Sequence, residues 1–421
     1  MSIYQENSSN ANEFRKAGKY DEAIQIYEAI RNDKMDKYIA SGLLHCYRKK
    51  RYFDKAFNLI DETLEQFRDF SWFKNECAWT IISGELNKFS ETPSTQYITE
   101  IALKILNLVP DQMAYKKAIF KVAKVAKENE DWEILDEWLH KIEPDQLKIK
   151  EEGKDWSESE IWHYYRAVYL IKTERFEEGI LFINQVKDSF ESKAKFFDRL
   201  VAKACVATND LEGSEEIYEK LTKSNKVDWW ILHEYAKVLL DSNKIKEALN
   251  LMYRASISPG PMKNKVSLFY DLANLLIIHD QPQIALIHYQ LVHTIREQEG
   301  WFISTQLKEN IQKLVESYPQ DILVKSTRDI LKQCKQIWND ELGIKMDSKK
   351  QTKTKNLKGK VNLADPNKPF CFIETKDHNS FFCSKDDLPQ RTKNNQIVTF
   401  DLKQSFDKKK NKKSYKAVNI R

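Results

Sequence analysis

At 421 residues the chain has room for two or three domains, and its apolar fraction of 41% is enough for a sizeable core. Ten glycines and ten prolines are few for this length, which disfavours an all-β fold or a glycine-loop enzyme and favours helices. The net charge of +5 hides a split: residues 345–421 carry 20 Lys and Arg against 8 Asp and Glu, whereas residues 1–344 carry 48 against 55, a contrast that points to two kinds of partner.

The chain starts Met1-Ser2-Ile3-Tyr4-Gln5-Glu6-Asn7, with neither a basic stretch nor an apolar core, so no signal peptide is expected. No apolar run approaches the length of a membrane span. Cys46, Cys77, Cys205, Cys334, Cys371 and Cys383 fall singly, without a C-x-x-C pair. Reduced thiols, a cytoplasmic location and no zinc site are the expectations.

From the start to residue 342 the chain repeats itself. Lys19-Tyr20-Asp21-Glu22-Ala23-Ile24 returns as Arg51-Tyr52-Phe53-Asp54-Lys55-Ala56, as Arg175-Phe176-Glu177-Glu178-Gly179-Ile180, as Asp210-Leu211-Glu212-Gly213-Ser214, and as Lys244-Ile245-Lys246-Glu247-Ala248. The small residue recurs at intervals of about 34, with Ala285 one further step on. A small side chain early in the second helix of each pair lets the two helices approach closely. Tyr20, Phe53 and Phe176, three positions earlier, close the turn, and Phe14 and Tyr47 share the seam. This period resembles that of tetratricopeptide repeats, which implies an α-solenoid with a surface for a protein or peptide.

The middle is less regular. Residues 71–110 are expected to hold one pair with a long connection through Pro93, and 113–144 another, filled by Trp132, Leu135 and Leu139. A charged loop follows from Pro144 to Trp156. About eight pairs are expected in all, then helices over Trp301–Tyr318 and Asp321–Leu342. Asn243, Asn250 and Asn274 match a carboxylate clamp only loosely and read as a solvated face. Residues 343–357, with five lysines and no aromatic ring, read as a flexible basic linker.

Beyond it, Lys368-Pro369-Phe370-Cys371-Phe372-Ile373 and Ser380-Phe381-Phe382-Cys383-Ser384 alternate with period two, as strands do. Parity puts Phe370, Phe372 and Phe382 on one face and Val361, Cys371, Ile373 and Cys383 on the other. Rings with a basic border form a stacking platform for single-stranded nucleic acid.

Residues 358–421 resemble a cold-shock domain, an all-β OB barrel of five strands. Gly359 to Asn367 stands at the first strand and turn, Lys368 to Ile373 at the first RNA-binding motif and Ser380 to Leu388 at the second. Val398-Thr399-Phe400 and Ala417-Val418-Asn419-Ile420 stand at strands four and five. The sequence departs from the family at Leu363 and Ala364, where the family has rings, at Pro369 and Cys371 in place of glycines, and at Ser384 in place of histidine. The resemblance implies that Lys368, Phe370, Phe372, Phe382, Ser384 and Lys385 contact nucleic acid. The run Lys408, Lys409, Lys410, Lys412 and Lys413 adds phosphate attraction.

No phosphate-binding loop, dinucleotide fingerprint, H-E-x-x-H or G-x-S-x-G occurs. His288 and His293, five apart, suit joint metal ligation poorly. Glu177-Glu178 and Glu215-Glu216 are expected at exposed turns, and Trp162, Trp229 and Trp230 in the helix seams. The expected fold is therefore mainly α, a TPR-like helical solenoid over 1–342 followed by a small OB barrel. The expected function is a non-enzymatic adaptor without cofactor or metal. Its solenoid docks a protein and its barrel binds single-stranded RNA or DNA. The alternative is a protein-interaction scaffold, or a regulatory subunit of a separate enzyme, whose barrel no longer binds nucleic acid.

Overall fold

The 34-residue period folds as helix pairs. In the computed structural model the described residues are all but 1–2, 150–154, 224–226, 319–325, 345–354, 364–367, 377–378, 391 and 408–411, and the side chains of 406, 407, 412 and 413. The first four pairs are α1 (Ile3–Lys16) and α2 (Tyr20–Arg31), α3 (Lys37–Lys50) and α4 (Phe53–Phe67), α5 (Ser71–Ile81) and α6 (Thr95–Asn107), and α7 (Gln112–Glu128) and α8 (Trp132–Leu139). The next four are α9 (Glu158–Lys172) and α10 (Phe176–Val186), α11 (Ala194–Ala207) and α12 (Leu211–Thr222), α13 (Trp229–Asp241) and α14 (Ile245–Ile257), and α15 (Val266–Ile278) and α16 (Pro282–Gln298). Among the described residues these pairs are followed by α17 (Thr305–Ser317) and α18 (Thr327–Glu341). α17 begins later than Trp301 because Ser304 caps it, its Oγ accepting from the Leu307 N–H.

One turn closes most pairs. Gly18, Arg51, Glu130, Glu174, Asn209, Asn243 and Asp280 all have left-handed backbones, with φ from 57° to 75°. After each, the next N–H returns to a carbonyl five residues back: Lys19 to Phe14, Tyr52 to Tyr47, Asp131 to Ala126, Arg175 to Leu170, Asp210 to Cys205, Lys244 to Leu239 and Gln281 to Leu276, at 2.7–2.9 Å. That is the long bond of a Schellman cap, and it satisfies a carbonyl the helix leaves open. Five residues beyond the left-handed position lies the small marker: Ala23, Ala56, Ser214, Ala248 and Ala285 are all fully buried. At Gly179 a Cβ would come within 2.6 Å of Ile171 Cδ1, so a larger residue would have to push that side-chain tip aside. The third pair departs from the rule, since α5 runs on into a π-helical turn, Ile82–Leu86, before Ser94 caps α6.

The chain divides into two compact units, Met1–Pro319 and Gln320–Arg421, so α18 falls within the second. There the alternating segments form β1 (Leu357–Asn362), β2 (Phe370–Thr375), β3 (Ser380–Ser384), β4 (Ile397–Asp407) and β5 (Lys412–Val418). They close into a barrel in the order β1-β2-β3-β5-β4, with β1 returning to β4. Val361, Cys371, Ile373, Cys383, Val398, Phe400, Leu402 and Ala417 fill its interior. Gly359 is buried where a Cβ would lie 2.7 Å from Ile373 Cγ2 and 2.8 Å from the Glu374 carbonyl, so β1 and β2 close there only on glycine. The architecture is a TPR-like helical solenoid followed by a small closed five-stranded β-barrel.

The fifth strand departs from expectation. It starts at Lys412 and stops at Val418, because Asn419 turns left-handed (φ 53°) and its Nδ2 donates to Asp401 Oδ2 at 3.0 Å. No described helix is long and apolar enough to cross a membrane.

Candidate nucleic-acid interface

Strand alternation puts the three rings outside. Phe372 stands directly opposite Phe382 across β2 and β3, and Phe370 opposite Ser384. The ring centres of Phe370 and Phe382 are 5.4 Å apart, those of Phe370 and Phe372 5.9 Å, and those of Phe372 and Phe382 6.3 Å. Phe372 and Phe382 keep 40% and 43% of their surface in solvent. Two large rings left this open at the centre of a sheet face are costly unless something covers them, at about 25 cal/mol for each Å² of apolar surface. Beneath them Cys371, Ile373 and Cys383 point into the core, as parity requires.

The basic border is partly in place. Lys368 is exposed, with Nζ 6.0 Å from the centre of the Phe370 ring. Lys385 opens a short 3-10 turn, Lys385–Asp387, and its N–H donates to the Pro369 carbonyl at 3.0 Å, tying the end of β3 to the start of β2. Pro369 thus sits just before β2, where its missing N–H leaves no gap in the ladder. Lys408, Lys409 and Lys410 lie outside the described residues. The backbones of Lys412 and Lys413 pair with Asp407 and Phe406, so part of the expected lysine run is strand. Leu363, just beyond β1, packs against the barrel core.

Sequence reading missed Lys416 and Lys403. Phe382 pairs with Lys416 in the parallel β3–β5 contact, and Lys416 pairs with Lys403 across β5 and β4. Ala417 and Leu402 beside them point inward, so both lysines face out in the same row as Phe372 and Phe382. Only the strand pairing reveals this row.

On the solenoid the described residues line two clefts. A cavity of about 380 Å³ is lined by Glu215, Tyr235, Leu239, Lys244, Glu247, Asn250 and Leu251. A smaller one of about 180 Å³ lies among Ser8, Ser9, Asn12, Tyr27, Tyr38 and Trp72. Glu215 is not simply an exposed turn residue: it pairs with Lys244 at 2.5 Å. Burial raises its carboxyl pKa, but the Lys244 ammonium outweighs this and leaves it below the usual range. The loose clamp does not assemble, since Asn243 forms a left-handed turn and Asn274 accepts from the Tyr289 hydroxyl at 2.5 Å. His288 is fully buried, its Nδ1 2.8 Å from the Ile284 carbonyl. Trp162 and Trp230 sit in the seams, Trp162 Nε1 donating to the Leu139 carbonyl and Trp230 stacking on Phe196. Among the described residues no group of three or more His, Cys, Asp or Glu is placed to hold a metal ion.

Comparison with known proteins gives a likeness of fold. No curated protein matches the sequence. A family described as a domain of unknown function, DUF7017, matches residues 195–336, from α11 into α18. Among solved structures, the chain is similar to one in the APC/C hetero-tetramer Cut9–Hcn1, at 8% identity and a TM-score of 0.38, over 73% of this chain. This chain spans only 55% of that one. It is also similar to a tetratricopeptide repeat protein from Parabacteroides merdae ATCC 43184, at 12% identity and a TM-score of 0.33, over 74% of this chain and 98% of that one.

Proposed function

We propose that the protein is a non-enzymatic adaptor, its C-terminal barrel a cold-shock-like OB domain that binds single-stranded RNA or DNA and its solenoid a dock for a protein segment. The observation that carries the reading is the outward cluster of Phe370, Phe372 and Phe382 on β2 and β3. OB barrels bind oligonucleotides on their second and third strands, and the five-stranded closed barrel with its rings on β2 and β3 supports that likeness. Rings spaced like these accept unpaired bases of any sequence. The solenoid's part rests on its repeat architecture, since stacked helix pairs present extended binding surfaces.

A second reading, a barrel used for protein contact, draws support from β1, which carries no ring, and from Leu363 just beyond it, which packs against the core. The two separate in fluorescence anisotropy on labelled oligonucleotides at two salt concentrations. Stacking predicts preference for single strands over duplex, and Phe372→Ala should weaken binding by about 1–3 kcal/mol. A merely basic surface would bind both forms alike, lose affinity steeply with salt and ignore the ring substitution. Should neither form bind, the protein-contact reading stands.

A further inference from the structure

The ring platform is electrically lopsided. On the β1 side Lys360 stands opposite the Glu374 carboxylate, which accepts from Asn362 Nδ2 at 3.1 Å, and Lys358 stands opposite Thr399. On the other side Phe382 is followed in register by Lys416 and then Lys403, lysine directly against lysine. Like charges opposed across a strand pair destabilise the sheet. Asp401, the acid two residues from Lys403, is already engaged by Asn419 Nδ2 and the Asn356 N–H.

We propose that a single-stranded polynucleotide leaves the rings over β3 and crosses β5 and β4, with Lys416 and Lys403 each taking a backbone phosphate. This rests on the ring platform above and adds the direction of the path. The charge repulsion between the two lysines is what a phosphate relieves, and their row continues that of the stacked bases. Across β5 and β4 the strand spacing of about 4.8 Å places the lysines within reach of successive phosphates. Toward β1 the strand would pass the Glu374 carboxylate at the end of β2, and β1 itself carries no ring.

The test uses the full chain and fluorescein-labelled oligouridylates of four and ten nucleotides. Compared are the wild type, Phe372→Ala, the double variant Lys403→Gln with Lys416→Gln, and the double variant Lys358→Gln with Lys360→Gln. The Lys403/Lys416 variant should bind the ten-mer about tenfold more weakly at low salt. Its slope of log affinity against log salt should fall by about 1.4, the value for two phosphates on a single strand. The four-mer, which the rings alone can hold, should be far less affected, and the Lys358/Lys360 variant should leave both unchanged. If the Lys403/Lys416 variant binds like wild type while Phe372→Ala weakens binding, the path is wrong and the ring platform stands. Equal losses from both lysine pairs would mean diffuse attraction without a path. If wild type binds neither oligonucleotide, the platform itself falls, and the path with it.

Discussion

Cys371 Sγ lies 3.5 Å from Cys383 Sγ inside the barrel, directly beneath the face that carries the three rings. Both are free thiols, paired across β2 and β3. Burial, helped by the bond to Cys371, pushes the Cys383 thiol up to about 12. A thiol held there is almost entirely protonated at pH 8, so its thiolate should be at least about a thousandfold scarcer than in the unfolded chain. Labelling of native protein with an aromatic disulfide reagent should therefore be slow at both positions and fast in denaturant. Rapid native labelling, or a disulfide after purification under reducing conditions, would show that the pair is reactive.

The left-handed turns predict which exposed substitutions stabilise. Arg51, Glu130 and Glu174 hold a conformation that costs a side-chain-bearing residue about 1–2 kcal/mol, partly offset by the extra freedom glycine has when unfolded. Glu174→Gly should stabilise the solenoid by about 0.5–1 kcal/mol. Asn243→Gly should gain less, because asparagine tolerates the turn. Thermal melting of the two variants checks this, and equal or negative shifts would show that the side chains contribute more than the strain.

These turns also mark how far the sequence could be read. The period and its buried small residues were legible, because close helix approach admits only Ala, Ser or Gly at that place. The cap was not, since Arg51 and Glu174 carry no turn signature of their own. The facing of Phe370, Phe372 and Phe382 followed from period two alone. Lys403 and Lys416 stayed hidden, because their row exists only once β3 pairs in parallel with β5, a neighbour distant in sequence. Lys265 stayed hidden for another reason: a lone lysine reads as surface.

Lys265 is in fact fully buried. Its Nζ donates to the carbonyls of Ala255 at 3.0 Å, Ser256 at 3.1 Å and Ser258 at 2.5 Å, closing the open end of α14 with a positive charge. Lys265→Met keeps the stem and removes the donors, leaving buried carbonyls without them. The cost should be about 2–4 kcal/mol, read as a lower melting temperature. Lys265→Arg should not rescue it, since a planar guanidinium is larger and cannot point its donors at three converging oxygens. A Met variant as stable as wild type would make the ammonium a passenger.

The acid side of the stability profile should carry the mark of His288. Burial, countered only in part by the bond to the Ile284 carbonyl, pushes its imidazole down to about 4. In the unfolded chain the same group takes its proton near pH 6.5. Between those values the unfolded state binds the proton and the folded state refuses it. Stability from His288 is therefore complete above pH 6.5 and drains away as pH falls toward 4. From pH 7 to pH 5 the loss should be about 2 kcal/mol from this group alone. Carboxylates such as Glu76, which burial raises but His45 and Arg48 hold below the usual range, contribute mainly below that window. Urea unfolding of wild type and His288→Leu at pH 7 and pH 5 isolates the effect. The variant starts less stable, having lost the bond to Ile284, but its stability should fall less between the two pH values, narrowing the gap to wild type by about 2 kcal/mol. A constant gap would mean that His288 is already protonated in the fold or reached by solvent.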